Sequence, residues 1–311
     1  MKKKVQLVLG SGGARGIAHI GVIQRLLEED YEIVEIVGCS MGAVVGGMYS
    51  AGHLEAYTEW LLKQSKTDVY RLFDITFSLH GLVKGDRIFQ ILEEMAGKHD
   101  IEKLKIPFTA IATDMHSRTE VHFNEGNLFK ALRASTGIPG VFTPIADSGR
   151  LYVDGAVLNP LPVDVLHRRK DASIIAINLN GAIESDIIAI PQPQPPDEEK
   201  APDFWTRIKS YFEKAQDDAA EKKEPETIET KAEDPVPVTV PTFSMFELLS
   251  ASYDASLDKL AAMTLRENPV DMIIEIPRNT CSVFEFYRAA ELIEVGRKQY
   301  DKAMAKQKRE V

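Results

Sequence analysis

From its fourth residue the chain alternates between the two spacings that strands and helices impose on apolar side chains, and this alternation restricts its fold more than any other feature. Residues 4–9 are a short apolar run suited to a buried strand, and residues 15–28 follow with Ile20, Ile23 and Leu27 along one helical face. Residues 33–39 return to the strand pattern and residues 41–50 to the helical one. Strand, helix, strand, helix calls for parallel βαβ units with right-handed crossovers, hence an α/β fold. Further strands are expected over 108–113, 173–178 and 272–276, and further helices over 54–64, 87–95, 128–135, 163–168, 246–266 and 284–306. At 311 residues the chain is about twice a typical domain, which leaves room for one large domain or a domain with an appendage.

The appendage is readable in the composition. Nine of the 16 prolines lie between Pro191 and Pro241, and between Asp197 and Asp234 there are 13 acidic and 7 basic residues. Such a stretch cannot bury enough apolar surface to offset chain entropy, so residues 182–241 are expected to form a mobile insertion between an N-terminal part, 1–181, and a C-terminal part, 242–311, that completes the same domain. One island interrupts it. Phe204, Trp205, Ile208, Tyr211 and Phe212 make a helical apolar stripe near 204–214, with Asp203 placed to cap it. That helix could dock on the main domain or sit at a lipid headgroup boundary; the sequence leaves both open.

Several classes of function are disfavoured. A net charge of -10 gives no electrostatic reason to approach nucleic acid. Two cysteines, Cys39 and Cys281, make neither a disulfide framework nor a zinc site, so a reducing, cytoplasmic setting is expected, with no metal and no cofactor. Lys2, Lys3 and Lys4 imitate a signal-peptide start, but the apolar run after them is too short and meets Arg15. The uncharged stretch over 36–54 holds five glycines and is too weakly apolar for a membrane span.

The chemistry concentrates in two turns. Gly38-Cys39-Ser40-Met41-Gly42 matches G-x-S-x-G, with an apolar strand running directly into it and a helix of small residues running out. That context is what a nucleophile elbow requires: Gly38 and Gly42 leave room for a sharp turn, and Ser40 projects beside a helix N-terminus that favours developing negative charge. The first strand likewise ends in Gly10-Ser11-Gly12-Gly13-Ala14-Arg15-Gly16 and opens a helix. A dinucleotide site is the competing interpretation, but Arg15 occupies the sixth position of G-x-G-x-x-G, and the only acids near the ribose-binding position, Asp30 and Glu32, precede the next strand. The amides of Gly12, Gly13 and Ala14 would serve equally as oxyanion donors, so acyl transfer accounts for both turns at once.

A serine hydroxyl needs a base. None of the seven histidines sits in a motif-like setting with an acid late in the chain, as a Ser, Asp/Glu, His order requires, and the last of them, His167, falls on an expected helix. The better candidate is Asp154, where the apolar run Leu151-Tyr152-Val153 ends in an acid and Gly155 and Ala156 allow close packing against it; a simple Asp-Gly turn is the alternative.

Taken in order, the glycine loop over 10–16, the elbow at Ser40 and Asp154-Gly155-Ala156 closely resemble the three signatures of the patatin-like phospholipase family. The run from Arg133 through Ser135, Gly137 and Pro139 to Pro144 is also similar to the stretch that family places upstream of its catalytic Asp. The likeness covers about 4–179 and is greatest to compact bacterial members related to the esterase domain of neuropathy target esterase. It implies a three-layer α/β/α sandwich with a mostly parallel central sheet. It implies also a Ser-Asp dyad with Ser40 as nucleophile and Asp154 as general base, an oxyanion hole around Gly12, Gly13 and Ala14, and Arg15 ordering that loop. Plant patatins carry three glycines where this chain reads Ser11-Gly12-Gly13, which bears only on the detailed shape of the loop.

A lone carboxylate near its ordinary pKa is a weak base, so burial must raise its basicity, and a lipid acyl chain would help exclude water. The expected substrate is therefore a lipid or lysophospholipid ester bound in a greasy pocket, and the expected location cytoplasmic or membrane-peripheral. The alternative from a different class is an adaptor that keeps the fold and binds a protein partner, unidentified by sequence, through the acidic insertion.

Overall fold

The computed structural model describes residues 2–72, 75–78, 81–182 and 245–310. One compact unit comprises Met1–Ile187 and Phe246–Val311; the other, Ile188–Met245, lies outside the described residues except for Met245. The expected insertion beyond residue 182 and its helix near 204–214 therefore also lie outside them.

In chain order the described strands are β1 (Lys3–Leu9), β2 (Tyr31–Cys39), β3 (Ile75–Ser78), β4 (Gly81–Val83), β5 (Phe108–Asp114), β6 (Thr119–Phe123), β7 (Ile145–Asp147), β8 (Arg150–Asp154), β9 (Ser173–Gly181) and β10 (Met272–Pro277). The helices are α1 (Ala18–Glu28), α2 (Met41–Ser50), α3 (Leu54–Leu62), α4 (Lys66–Leu72), α5 (Asp86–Ala96), α6 (Leu128–Ser135), α7 (Met245–Glu267) and α8 (Ala289–Glu310). Eight strands make one sheet in the order β10, β9, β1, β2, β5, β8, β7, with β6 on β5; β3 and β4 form a separate hairpin. β10, β9, β1, β2 and β5 run parallel, while β6, β7 and β8 pair antiparallel.

The alternation of side chains along β1 builds three layers. Val5, Leu7 and Leu9 enter a core with Ile20 of α1, Val45 of α2 and Leu292 of α8, while Val8 faces the opposite way toward Leu257 and Ala261 of α7. Each fully buried aliphatic side chain contributes roughly 1.5–3 kcal/mol. Gln6, the polar exception in β1, is satisfied: its amide donates to Glu35 and to the His167 carbonyl (2.8 Å), and its oxygen accepts the Arg169 N–H (3.0 Å).

The structure departs from the sequence expectations in places. The helix expected over 15–28 begins as a tight 3-10 turn, Gly13–Ile17, because the loop is pressed onto α2: a Cβ on Gly16 would stand 2.3 Å from Met41 Cγ. The helix expected over 163–168 shrinks to a 3-10 turn, Val163–Val165, behind Pro162. The last helix starts at Ala289, after the separate turn Phe286–Arg288.

Candidate active site

The chain order reverses about β1, with β2 on one side and β9 on the other, so the loops that leave the carboxyl ends of β1 and β2 flank a crevice. β2 ends at Cys39, and Ser40 turns the chain into α2 with φ 55° and ψ -124°. A side-chain-bearing residue in that conformation costs on the order of 1–3 kcal/mol, which the surroundings must sustain. They do so by close packing. A Cβ on Gly42 would lie 2.1 Å from the Leu9 carbonyl oxygen, and one on Gly38 would lie 2.6 Å from that of Gly42.

β5 explains how Asp154 reaches this turn. β6 occupies one edge of β5, and the other edge is shared: β2 pairs parallel with it as far as Cys39 opposite Ile111, and β8 pairs antiparallel from Asp154 opposite Ala112. The carboxyl ends of β2 and β8 therefore meet head to head at successive residues of one strand. Gly155 permits the meeting, since a Cβ there would come within 2.3 Å of the Ile111 carbonyl oxygen.

Across this junction the Ser40 hydroxyl donates to Asp154 Oδ2 at 2.5 Å. The other carboxylate oxygen accepts the Ala156 N–H (2.8 Å) and lies 3.8 Å from the Cys39 thiol. Ser40 is 3% exposed and Asp154 1%. Burial pushes the Asp154 carboxyl up to about 6; the hydrogen bonds from Ser40, Ala156 and Cys39 pull the other way and are outweighed. Burial, reinforced by the neighbouring carboxylate, raises the Cys39 thiol far above its ordinary range and keeps it protonated. Ser135, not singled out as a site residue by sequence, completes the turn: its hydroxyl accepts the Ser40 N–H (2.9 Å) and donates to the Ile111 carbonyl (2.6 Å). Its place in the quoted run over 133–144 was the available signal.

The glycine loop lies alongside. Gly10 and Ser11 donate their N–H groups to the carbonyls of Ile177 (3.0 Å) and Pro160 (2.9 Å). The sequence expectation for Ala14 needs correction: its N–H is already given to the Val283 carbonyl (2.9 Å), because the segment after β10 crosses over the loop. Among the described residues the amides of Gly12 and Gly13 have no partner, so the free donors of this loop narrow to these two. Gly13 has φ +57°, and a Cβ there would meet Val283 Cγ1 at 2.5 Å. Arg15 is committed to the loop's own framework, at the ends of two strands. Its guanidinium donates to Asn180 Oδ1 and the Arg278 carbonyl, both at 3.1 Å, and braces the loop against the ends of β9 and β10. His19 hydrogen-bonds the Gly10 carbonyl (2.9 Å) and is held neutral by burial, its pKa pushed down to about 4. Among the described residues no histidine bonds to Ser40 or Asp154, and no group of three His, Cys, Asp or Glu side chains converges as a metal ion would require.

Beside Ser40 opens an apolar cavity, with about 780 Å³ of atom-free space when the open solvent at its mouth is counted. Met41 and Val44 of α2, Tyr57 and Leu61 of α3 and Leu92 of α5 form its buried floor, and Trp60, Phe89, Ile138, Phe142 and Phe286 stand around it. Arg133, 5% exposed, ties two of its walls together by donating to Asp86 (3.0 Å) and the Lys84 carbonyl at the start of α5 and to the Thr143 carbonyl (2.9 Å). No helix among the described residues is long and apolar enough to cross a membrane.

Comparison with known proteins gives consistent relatives. The model of the family described as patatin-like phospholipase matches residues 7–167. An NTE family protein of Mycobacterium tuberculosis is 35% identical over 331 aligned positions, covering 94% of this chain and 89% of its own. Neuropathy target esterase sws of Drosophila melanogaster is 32% identical over 190 positions (59% of this chain, 13% of that protein), and a lysophospholipase of Cryptococcus neoformans 34% over 182 (57% and 11%). Among solved structures, VipD from Legionella pneumophila aligns with a TM-score of 0.40 at 13% identity, covering 98% of this chain and 67% of that one.

Proposed function

Because the chain belongs to the patatin-like phospholipase family, and so to a family of lipid ester hydrolases, we propose that it cleaves carboxylic esters of lipids through an acyl-enzyme on Ser40, with Asp154 as the side-chain base. The observation that carries this is the 2.5 Å hydrogen bond from Ser40 to a carboxylate whose burial lifts its pKa to about 6. A carboxylate of ordinary basicity would be half-protonated near pH 4 and a poor acceptor for a serine proton; the lifted value brings the base toward the pH at which it works.

The steps follow from the placement of the groups. An acyl chain fills the cavity beside Ser40 and displaces water from the carboxylate. Asp154 Oδ2 takes the hydroxyl proton as Ser40 Oγ attacks the ester carbonyl, whose oxygen becomes an anion within reach of the Gly12 and Gly13 amides. Collapse expels the alcohol, which receives the proton from Asp154, and leaves the acyl group on Ser40. Water then enters and attacks the acyl carbonyl as it loses a proton to the same carboxylate, and Ser40 Oγ takes that proton back as the fatty acid leaves. Ala156 N–H holds one carboxylate oxygen and so fixes which oxygen faces the serine. Lipid or lysophospholipid esters are the substrate class, reached by peripheral contact with a lipid surface.

The test is hydrolysis of a fatty-acyl p-nitrophenyl ester by Ser40→Ala and Asp154→Ala proteins whose melting curves show them folded. Both are expected to be inactive. Activity retained in Asp154→Ala and lost in a histidine variant would overturn the dyad.

A further inference from the structure

The polar side chains lining the acyl cavity are few, and nearly all have other commitments. Ser40 is bound to Asp154. Thr136 Oγ1 donates to the carbonyls of Leu132 and Arg133 (3.2 Å each), and Gln64 Nε2 donates to the Trp60 carbonyl (2.8 Å). Trp60 is partly open to solvent. Tyr57 differs from all of these. It is 3% exposed, its ring is stacked on that of Trp60 (centroids 6.1 Å apart, planes at 19°), and its hydroxyl has no hydrogen-bond partner among the described residues. Nor is that oxygen among the polar atoms sealed without a partner in the interior, and the residue lines the cavity.

A buried hydroxyl left unpaired costs about 1–3 kcal/mol. A plain alkyl chain filling the cavity would displace any water there and leave the phenol in that state. Burial also raises the Tyr57 pKa, so the group stays a neutral O–H, able both to donate and to accept. Its position along the cavity follows from the chain. α2 starts at the serine and has ten residues, so it extends about 15 Å. α3 begins after a three-residue turn, 51–53, whose His53 donates its N–H to the Met48 carbonyl and accepts that of Tyr57. Tyr57 thus lines the cavity from the helix that follows α2, whereas Ser40 lines it from the turn that precedes α2.

We infer that the cavity selects acyl chains carrying an oxygen function partway along their length, a hydroxyl or carbonyl that pairs with the Tyr57 hydroxyl. This rests on Ser40 and Asp154 being the ester-cleaving pair and narrows the substrate to esters of mid-chain oxygenated fatty acids. A site built around a hydrogen bond discriminates against the chain that lacks the partner, because the site's own polar group is then left unpaired.

The experiment compares kcat/KM on p-nitrophenyl stearate and p-nitrophenyl 10-hydroxystearate for the unaltered protein and for Tyr57→Phe. The ratio of hydroxylated to plain ester is expected to fall about tenfold in Tyr57→Phe, equivalent to about 1.4 kcal/mol. Being a ratio, it is insensitive to a general loss of activity. A ratio unchanged by the substitution overturns the inference while leaving the dyad standing; no turnover of either ester by the unaltered protein removes the dyad and the inference with it. Should Tyr57→Phe fail to fold, protection of Ser40 from a fluorophosphonate by the two free acids in the unaltered protein decides. Protection by 10-hydroxystearate at a severalfold lower concentration than stearate supports the inference, and equal or weaker protection overturns it.

Discussion

The raised basicity of Asp154 should be visible in stability as well as in rate. Its carboxyl titrates near 6 in the folded chain against an ordinary value of 3.8, because burial penalises the charge more than three hydrogen bonds favour it. Between about pH 4 and pH 6 the folded chain therefore holds a proton that the unfolded chain has released, so stability falls as pH rises through this window and is level above it. The upward shift of about two units corresponds to roughly 3 kcal/mol, of which about 2 kcal/mol is spanned between pH 4.5 and pH 7.5. Asp154→Asn carries no titrating group and escapes this loss, although one of the donors at Ser40 and Ala156 then faces an amide nitrogen. The assay is the Tm of both proteins across that range by differential scanning fluorimetry; taking the difference cancels every other carboxylate. At about 2–4 °C per kcal/mol for a chain of this size, the Tm of Asp154→Asn should gain about 4–8 °C on the unaltered protein from pH 4.5 to 7.5. Parallel Tm curves would refute the reasoning, since they would mean that Asp154 ionises as readily in the folded chain as in the unfolded one.

On the proposed mechanism, kcat/KM on a soluble acyl ester should fall about tenfold per pH unit below a midpoint near 6, as Asp154 gains the proton that would disable it as a base. A midpoint near 4 would show that water reaches the carboxylate freely. Ser135→Ala should lower both Tm and kcat, because the Ser40 N–H and Ile111 carbonyl lose their shared partner and each buried unpaired group costs about 1–3 kcal/mol; an unchanged melting curve would contradict this. Arg133→Met, by releasing the start of α5 from the Thr143 carbonyl, should raise KM for long-chain esters more than for short ones; equal effects on both would contradict its role in joining the cavity walls.

Much of this site is legible in the sequence because its parts are local. A serine held at φ 55° needs small neighbours and an abrupt change from strand to helix, and Gly38, Gly42 and the two flanking apolar patterns state that need within twenty residues. What escapes is what depends on strand direction and distant return. Nothing in the apolar run over 151–154 tells that β8 runs against β5 and so brings Asp154 head-on to Ser40. One local signal existed: Ser148 and Gly149 both take positive φ, and Asp147 pairs directly with Arg150, which makes a two-residue hairpin turn from a Ser-Gly pair. The fate of the Ala14 amide was beyond reach, since the Val283 carbonyl that takes it arrives from the far end of the chain. In the sequence the cavity is legible only as an expectation of a greasy pocket. Its floor comes from α2, α3 and α5, whose apolar residues read equally well as ordinary core.

The most direct measurement is reaction with a fluorophosphonate followed by mass mapping of the modified peptide, for the unaltered protein, Asp154→Asn and each of the seven histidine variants. A single adduct on Ser40, abolished in Asp154→Asn and preserved when the histidines are replaced, is the predicted result. Undiminished labelling of Ser40 in Asp154→Asn would mean that the serine is deprotonated by something other than this carboxylate.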